Sequence, residues 1–279
     1  MINRTVGFIG GGNMTRAIAG GLISAGFDPQ HVLIGEPSAK QRESLAFELP
    51  GAQISADNLF VAAQASCLVL AIKPQILANV CKGLRDTVQQ SRPLVISIAA
   101  GVRSQDIDTW LGGDLAVLRV MPNQPALLRK GVSGIYANER VSDSDRAEAE
   151  SIMSAVGSVV HVPREADIDA VTAISGSGPA YFYLLIDMLF EAGENLGLDA
   201  VTAAHLAIDT AVGSAALASH SVEPMGMLMS KVRSPGGTTA AALDTLDAND
   251  VRAIFDKAFR AARDRAIELA DQAHIAGQD

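Results

Sequence analysis

At 279 residues, 48% of them hydrophobic and 19% charged, the chain is long enough for two cores and too apolar to be disordered. Its 22 Lys and Arg stand against 31 Asp and Glu, and the formal charge of -9 opposes nucleic acid and anionic membrane as partners, since both require a basic face. Two cysteines, Cys67 and Cys81, show no metal-type spacing and fit a reducing compartment, so a cytoplasmic location is expected.

The opening stretch, Met1 to Ile9, runs into glycines with no cleavage-type segment, and it reads as a buried first strand. Met14, Ile18 and Leu22 then recur on one helical face. A short apolar run at Val32–Ile34 and a stronger one at Cys67–Ile72 follow, the latter stopped by Pro74. Ile76, Val80, Leu84 and Val88 mark the next helical face. Leu94–Ile98 and Leu115–Val120 are further strands, the second stopped by Pro122. Near-continuous apolar strands between amphipathic helices imply a parallel sheet covered on both faces, and right-handed crossovers make it doubly wound.

Val132–Tyr136 and Val159–Val162 add two strands around a helix that starts near Ser142. That serine can cap it, with Asp143 and Asp145 at the positive end of its dipole. From Asp167 onward the periodicity is helical only, rich in Ala, Leu and Met. The expected class is therefore α/β, a Rossmann-type parallel sheet over residues 1–163 followed by an all-helical domain over 164–279. The longest apolar run, Tyr181 to Leu189, is broken by Asp187 and falls short of a bilayer's span, so no membrane partner is expected. So apolar a helical half suggests self-association. Met225, Met227 and Met229 suit either an interface or irregular core filling, the use to which flexible methionine is commonly put.

Gly10-Gly11-Gly12-Asn13-Met14-Thr15 approximates the dinucleotide fingerprint in its proper context, after a strand and opening a helix. Gly10 would make the tight turn, and Gly12 would let a pyrophosphate approach the helix N-terminus. Thr15 replaces the third glycine. Glu36, at the end of the second strand, is placed as the acid that reads a ribose 2′-hydroxyl, and equally as a solvated loop acid before Pro37. Lys40 and Arg42 are near enough to offset its charge, which leaves NADH and NADPH both open. Ala71, Lys73 and Pro74, at the end of the third strand counted so far, are expected at the same crevice. So are Ala99, Ala100 and Gly101 after the fourth, because open parallel sheets bind ligands outside the carboxyl ends of their strands. Backbone contact is expected there rather than lysine chemistry.

Two glycine segments occupy the helical half. Ser175-Gly176-Ser177-Gly178-Pro179-Ala180 leads into an apolar helix, with Pro179 suited to its first turn. Ser234-Pro235-Gly236-Gly237-Thr238-Thr239 opens another, whose outward N–H groups would take a small carboxylate while a hydroxyl orients a nitrogen beside it. Two capped helices with tight turns are the plainer reading of each segment alone.

These segments, with Ala99–Gly101, Met121-Pro122-Asn123 and Ala170-Val171-Thr172, resemble the motif series of pyrroline-5-carboxylate reductases, in order and across nearly the whole chain. The resemblance implies a Rossmann domain and a helical dimerisation domain, with NADPH or NADH reducing the cyclic imine L-1-pyrroline-5-carboxylate to L-proline. It implies dimers assembling into a decamer. It also implies that Ser234, Gly237 and Thr238 bind the substrate carboxylate, that the Thr239 hydroxyl bonds the ring nitrogen, and that Asn58 contacts the cofactor ribose. Thr15, and Gln124 where the family often has Thr, depart from the pattern.

Other chemistries fit less well. A β-hydroxy-acid dehydrogenase would want a helix lysine, and none lies in Ser175–Leu196. A dinucleotide-binding regulator would bind without turnover. The Gly-x-Ser-x-Gly spacing of a hydrolase fails at Ser175, and the five histidines lack paired ligand spacing.

Overall fold

The computed structural model describes residues 4–277; Met1–Asn3 of the expected first strand lie outside the described residues. By its internal contacts the chain forms two compact units, one of residues up to Ser177 with those from Ala262 onward, the other of Gly178–Ala261. The last strand does end beside position 163, at His161, but 164–177 and the end of the final helix belong to the sheet unit.

The sheet unit runs β1 (Val6–Ile9), α1 (Asn13–Ser24), β2 (Val32–Gly35), α2 (Ala39–Glu48), β3 (Gln53–Ser55), α3 (Asn58–Gln64), β4 (Cys67–Leu70), α4 (Pro74–Ser91), β5 (Leu94–Ser97), α5 (Ser104–Trp110), β6 (Val117–Met121), β7 (Gly131–Ala137), α6 (Asp143–Ser154), β8 (Gly157–His161) and α7 (Asp167–Val171). Eight strands lie in the order β3-β2-β1-β4-β5-β6-β7-β8, parallel from β3 through to β6. The order reverses between β1 and β4, and ligands of doubly wound sheets bind at that crevice.

Each of β1, β2, β4 and β5 is buried along its whole length, as strands covered on both faces must be. One face packs on α1 and α6 through Ile18, Leu22 and Ile152; the other packs on α3, α4 and α5 through Val61, Leu84 and Ile107. Cys67 and Cys81 are free and belong to these cores, and burial pushes the Cys81 thiol up to about 12 and the Cys67 thiol up as well.

Four details bear on the sequence reading. β3, α2 and α3 have no counterpart in it, so the strands counted there as third and fourth are β4 and β5. β7 is antiparallel to β6, because Gln124–Leu128 is too short for a crossover helix and permits only a reversal. The buried face of α4 is Leu77, Cys81, Leu84 and Val88, while Ile76 is exposed. Ser142 caps α6 as expected, in a reciprocal box with Asp145.

The second unit contains α8 (Gly178–Asn195), α9 (Ala200–His220), α10 (Met225–Val232), α11 (Thr238–Ala248) and the first part of α12 (Val251–Ala276). Ala203 is buried and lies so close to Gly193 that a Cβ there would come within 2.9 Å of it, which lets α8 and α9 pack tightly. Met225, Met227 and Met229 are all exposed, because α10 has no buried residue within its own chain. Core filling is thereby set aside. α9 is long and apolar enough, by length and composition alone, to cross a bilayer, so Tyr181–Leu189 is not the chain's best span.

Candidate active site

The cofactor candidates of the sheet unit gather at the carboxyl ends of β1, β2, β4 and β5. Gly10 has φ +100°, and its N–H bonds the Gly35 carbonyl at 2.8 Å. A Cβ on it would stand 2.6 Å from the Ala71 carbonyl oxygen, so the turn tolerates only glycine. Gly12 differs. A Cβ there would meet nothing within 4 Å, so no neighbour explains its lack of a side chain. What Gly12 keeps clear is the approach to the N-terminus of α1. No side chain caps that helix, so the N–H groups at Asn13 and Met14 face an incoming anion unspent. Thr15 is fully buried and donates to the Gly10 carbonyl at 2.6 Å, so the hydroxyl that replaces the third glycine secures the turn.

Glu36 is half-buried beside this turn. One carboxylate oxygen accepts the Gly11 N–H at 3.0 Å and the other the Ser38 N–H at 2.9 Å, so it is not a freely solvated loop acid. Arg42 bonds the Glu36 and Pro37 carbonyls at 2.9 and 2.8 Å rather than the carboxylate. The amide oxygen of Asn58, at the start of α3, is buried without a hydrogen bond against Gly35. A carboxylate held by backbone N–H groups, an orphaned amide oxygen and an uncapped helix start are the donor and acceptor set a dinucleotide's ribose and pyrophosphate require.

Ala71 follows β4 and donates its N–H to the Ile9 carbonyl at 2.9 Å; Lys73, exposed, is the N-cap of α4, and Pro74 is the first helical residue. The Ala99 N–H donates to the Ser97 hydroxyl at 3.3 Å, and Ala100 is half-exposed in the turn. Gly101 is buried at φ +65°, and a Cβ on it would stand 2.8 Å from that of Leu269 on α12. Packing against a helix accounts for that glycine without a ligand.

Met121-Pro122-Asn123 meets the Ser175–Gly176 turn directly. Asn123 donates to the Ser175 carbonyl at 3.1 Å and accepts the Val132 N–H at 2.9 Å. Thr172–Gly176 is one turn of π-helix, closed by the Ser177 N–H on the Thr172 carbonyl at 2.8 Å. Such turns gather at functional sites.

Ser234, Gly237, Thr238 and Thr239 belong to the other compact unit. The Gly237 N–H bonds the Ser234 carbonyl at 3.0 Å, and Gly237 is the N-cap of α11 with no side chain capping the helix. Thr238 is exposed and Thr239 half-exposed at this open terminus. The segment has the chemistry of a carboxylate cradle: free N–H donors, a helix dipole and neighbouring hydroxyls.

Sequence reasoning missed Arg119, Ser104, Glu165 and Asp169, which form a buried ionic network. The signal was present: an arginine inside the apolar run Leu115–Val120 must be paired where it is buried.

A family profile described as pyrroline-5-carboxylate reductase dimerisation matches residues 165–269, and one described as NADP oxidoreductase, coenzyme F420-dependent, matches 5–101. The pyrroline-5-carboxylate reductase of Pseudomonas aeruginosa is 43% identical over 96% of this chain and 97% of its own. That of Synechocystis is 41% identical over 95% and 97%. A solved pyrroline-5-carboxylate reductase from Coxiella burnetii superposes with TM-score 0.90 at 40% identity, covering 96% of this chain and 98% of that one. A pyrroline carboxylate reductase from Plasmodium falciparum, with NADP bound, superposes at 0.86 and 29% identity, covering 97% and 99%.

Proposed function

This chain belongs to the pyrroline-5-carboxylate reductase family, and we infer from that membership how its residues serve the reaction. It is an NAD(P)H-dependent oxidoreductase that reduces the C=N bond of the imine L-1-pyrroline-5-carboxylate to L-proline, the closing step of proline synthesis. The observation that carries this reading is the extent of the likeness, which runs through both the dinucleotide turn and the Ser234–Thr239 helix start.

A bound dinucleotide supplies the hydride, and the chain's residues bind and orient it and the imine. We assign the pyrophosphate to the α1 N-terminus at Gly10, Gly12, Asn13 and Met14. The riboses go to Glu36 and Asn58, and the remaining backbone contacts to the turns at Ala71, Lys73 and Pro74 and at Ala99, Ala100 and Gly101. Ser234, Gly237 and Thr238 hold the substrate carboxylate, and the Thr239 hydroxyl bonds the ring nitrogen. The imine accepts hydride well only when protonated. The Ser234–Thr239 segment contains no His, Asp or Lys, and we assign the iminium as bound in that form or protonated by water. Positioning is then the chain's main contribution.

Residues 1–163 serve the cofactor and 164–279 serve substrate and self-association. The enzyme is an oligomer acting on a small molecule; we assign it a dimer as the repeating unit and a decamer as the full assembly. Its two buried free thiols suit the cytoplasm. The deciding assay is oxidation of NADH and NADPH by purified protein with and without L-1-pyrroline-5-carboxylate. Imine-dependent oxidation is expected, and cofactor binding without it would overturn the reading.

A further inference from the structure

Arg119 lies on β6, with only 2% of its surface exposed. Its register neighbour on β5 is Ser97 and on β7 is Tyr136. One guanidinium nitrogen donates to Asp169 of α7 at 2.9 Å; the other is 3.7 Å from Glu165. Both Glu165 oxygens are committed to Ser104, accepting its backbone N–H at 2.6 Å and its hydroxyl at 2.8 Å. The Arg119 Nε is buried with no hydrogen bond. Burial, and next the Glu165 charge, push the Tyr136 phenol up.

These groups connect two segments of the site. Ser104 opens α5 directly behind the Ala99–Gly101 turn, and Asp169 lies one helical turn ahead of the π-helical Thr172–Gly176. Asn123, four residues beyond Arg119, holds that same π turn by the Ser175 carbonyl. A buried ion pair is a poor device for stability. Its desolvation offsets most of its attraction, and apolar side chains of equal volume commonly do as well or better. An orphaned Nε–H adds a further cost. What the fork of an arginine supplies is direction, because its donors are rigidly planar: with one bonded to Asp169, the other is held within ion-pair reach of Glu165.

We propose that Arg119 is a positioning residue for the reductase reaction, tying Glu165 and Asp169 together so that the turn after β5 and the π turn keep one fixed register. The inference rests on the reductase reading. It assigns Arg119 no contact with substrate or cofactor; its effect passes through Ser104 and Asp169.

The test compares wild type with Arg119→Met/Asp169→Leu, which replaces the pair by apolar side chains, and with Ser104→Ala, which removes a single hydroxyl. Dinucleotide binding, followed by nicotinamide fluorescence, should weaken by no more than a few-fold in the double variant, since the α1 terminus, Glu36 and Asn58 lie outside the network and only the backbone contacts of the Ala99–Gly101 turn depend on it. The KM for the imine should also hold, while kcat per folded, cofactor-loaded chain falls by about 10²-fold, the scale of an ångström's misplacement. Ser104→Ala should lower kcat in the same direction by a smaller factor. Arg119→Lys, keeping charge but losing the fork, should fall between double variant and wild type. A folded double variant with wild-type kcat would overturn the proposal. If the double variant fails to fold, an unchanged kcat in Ser104→Ala overturns it instead. Wild type without imine-dependent turnover would sink the reductase reading itself and is recognised before any variant is made.

Discussion

Glu36 shows how far one side chain can be read from sequence. Its distance from the glycines marks it as a ribose-reading acid, and the structure adds that its oxygens accept the Gly11 and Ser38 N–H groups while Arg42 turns to the carbonyls instead. With Arg42 so engaged, a 2′-phosphate beside Glu36 would meet like charge. We expect Glu36→Gln, which keeps an acceptor for Gly11 and removes the charge, to raise the kcat/KM ratio of NADPH over NADH about tenfold, or about 1.4 kcal/mol. A ratio unmoved in paired assays would mean that Glu36 does not read the ribose. Thr239 and Lys73 separate in the same way. Removing a hydrogen bond to a charged nitrogen costs about 1.5–3 kcal/mol, so Thr239→Ala should lower turnover roughly ten- to hundredfold. Lys73→Ala should leave it nearly unchanged, because that exposed lysine offers its backbone. Equal losses at both positions would reverse the assignment. Gly101 shows a limit of such reading: a helix brought from the other end of the chain crowds it and requires the glycine, and no local pattern encodes that.

Among elements, legibility follows local chemistry. α6 is readable because its start is self-contained: the Ser142 hydroxyl takes the Asp145 N–H at 3.2 Å and the Asp145 carboxylate takes the Ser142 N–H at 3.1 Å. Ser142→Ala should therefore lower unfolding stability by about 1 kcal/mol in urea melts, with activity retained; no change would show that the box is redundant. β3 escapes notice because an edge strand of three residues with only Ile54 apolar carries almost no periodic signal. α4 is legible as a helix, but its inward face is not, as Ile76 shows. Helical spacing fixes the period, and the sheet beneath fixes the phase, choosing Leu77 and Cys81. The direction of β7 is likewise hidden in the length of a connection rather than in the strand's own residues.

The whole molecule poses a question of surface. α8 and α9 expose Phe182, Leu184, Met188, Val212 and Leu217, each more than half accessible within its own chain. A cavity of about 420 Å³ lined by Met229, Leu246, Val251, Phe255 and Phe259 opens in the same unit. Monomeric soluble proteins rarely leave contiguous apolar area on this scale open to water. Composition anticipates this much, since a greasy helical half with small-residue faces must bury them against something, but it cannot tell core from interface. The exposed α10 methionines decide that for their own element. Of the bilayer-length apolar helix α9, only Ala203 and Ala207 are buried within its own chain. Light scattering should therefore give a mass of at least twice the 29.0 kDa chain. Val212→Asp with Leu217→Asp places two charges in that face, where each must either be desolvated at high cost or force the subunits apart. The variant should shift toward monomer while still binding dinucleotide, because the α1 terminus and Glu36 lie in the sheet unit. A wild-type chain that scatters as a monomer would leave the exposed faces of α8, α9 and α10 unexplained and overturn the oligomer. A variant that stays assembled would place the interface elsewhere.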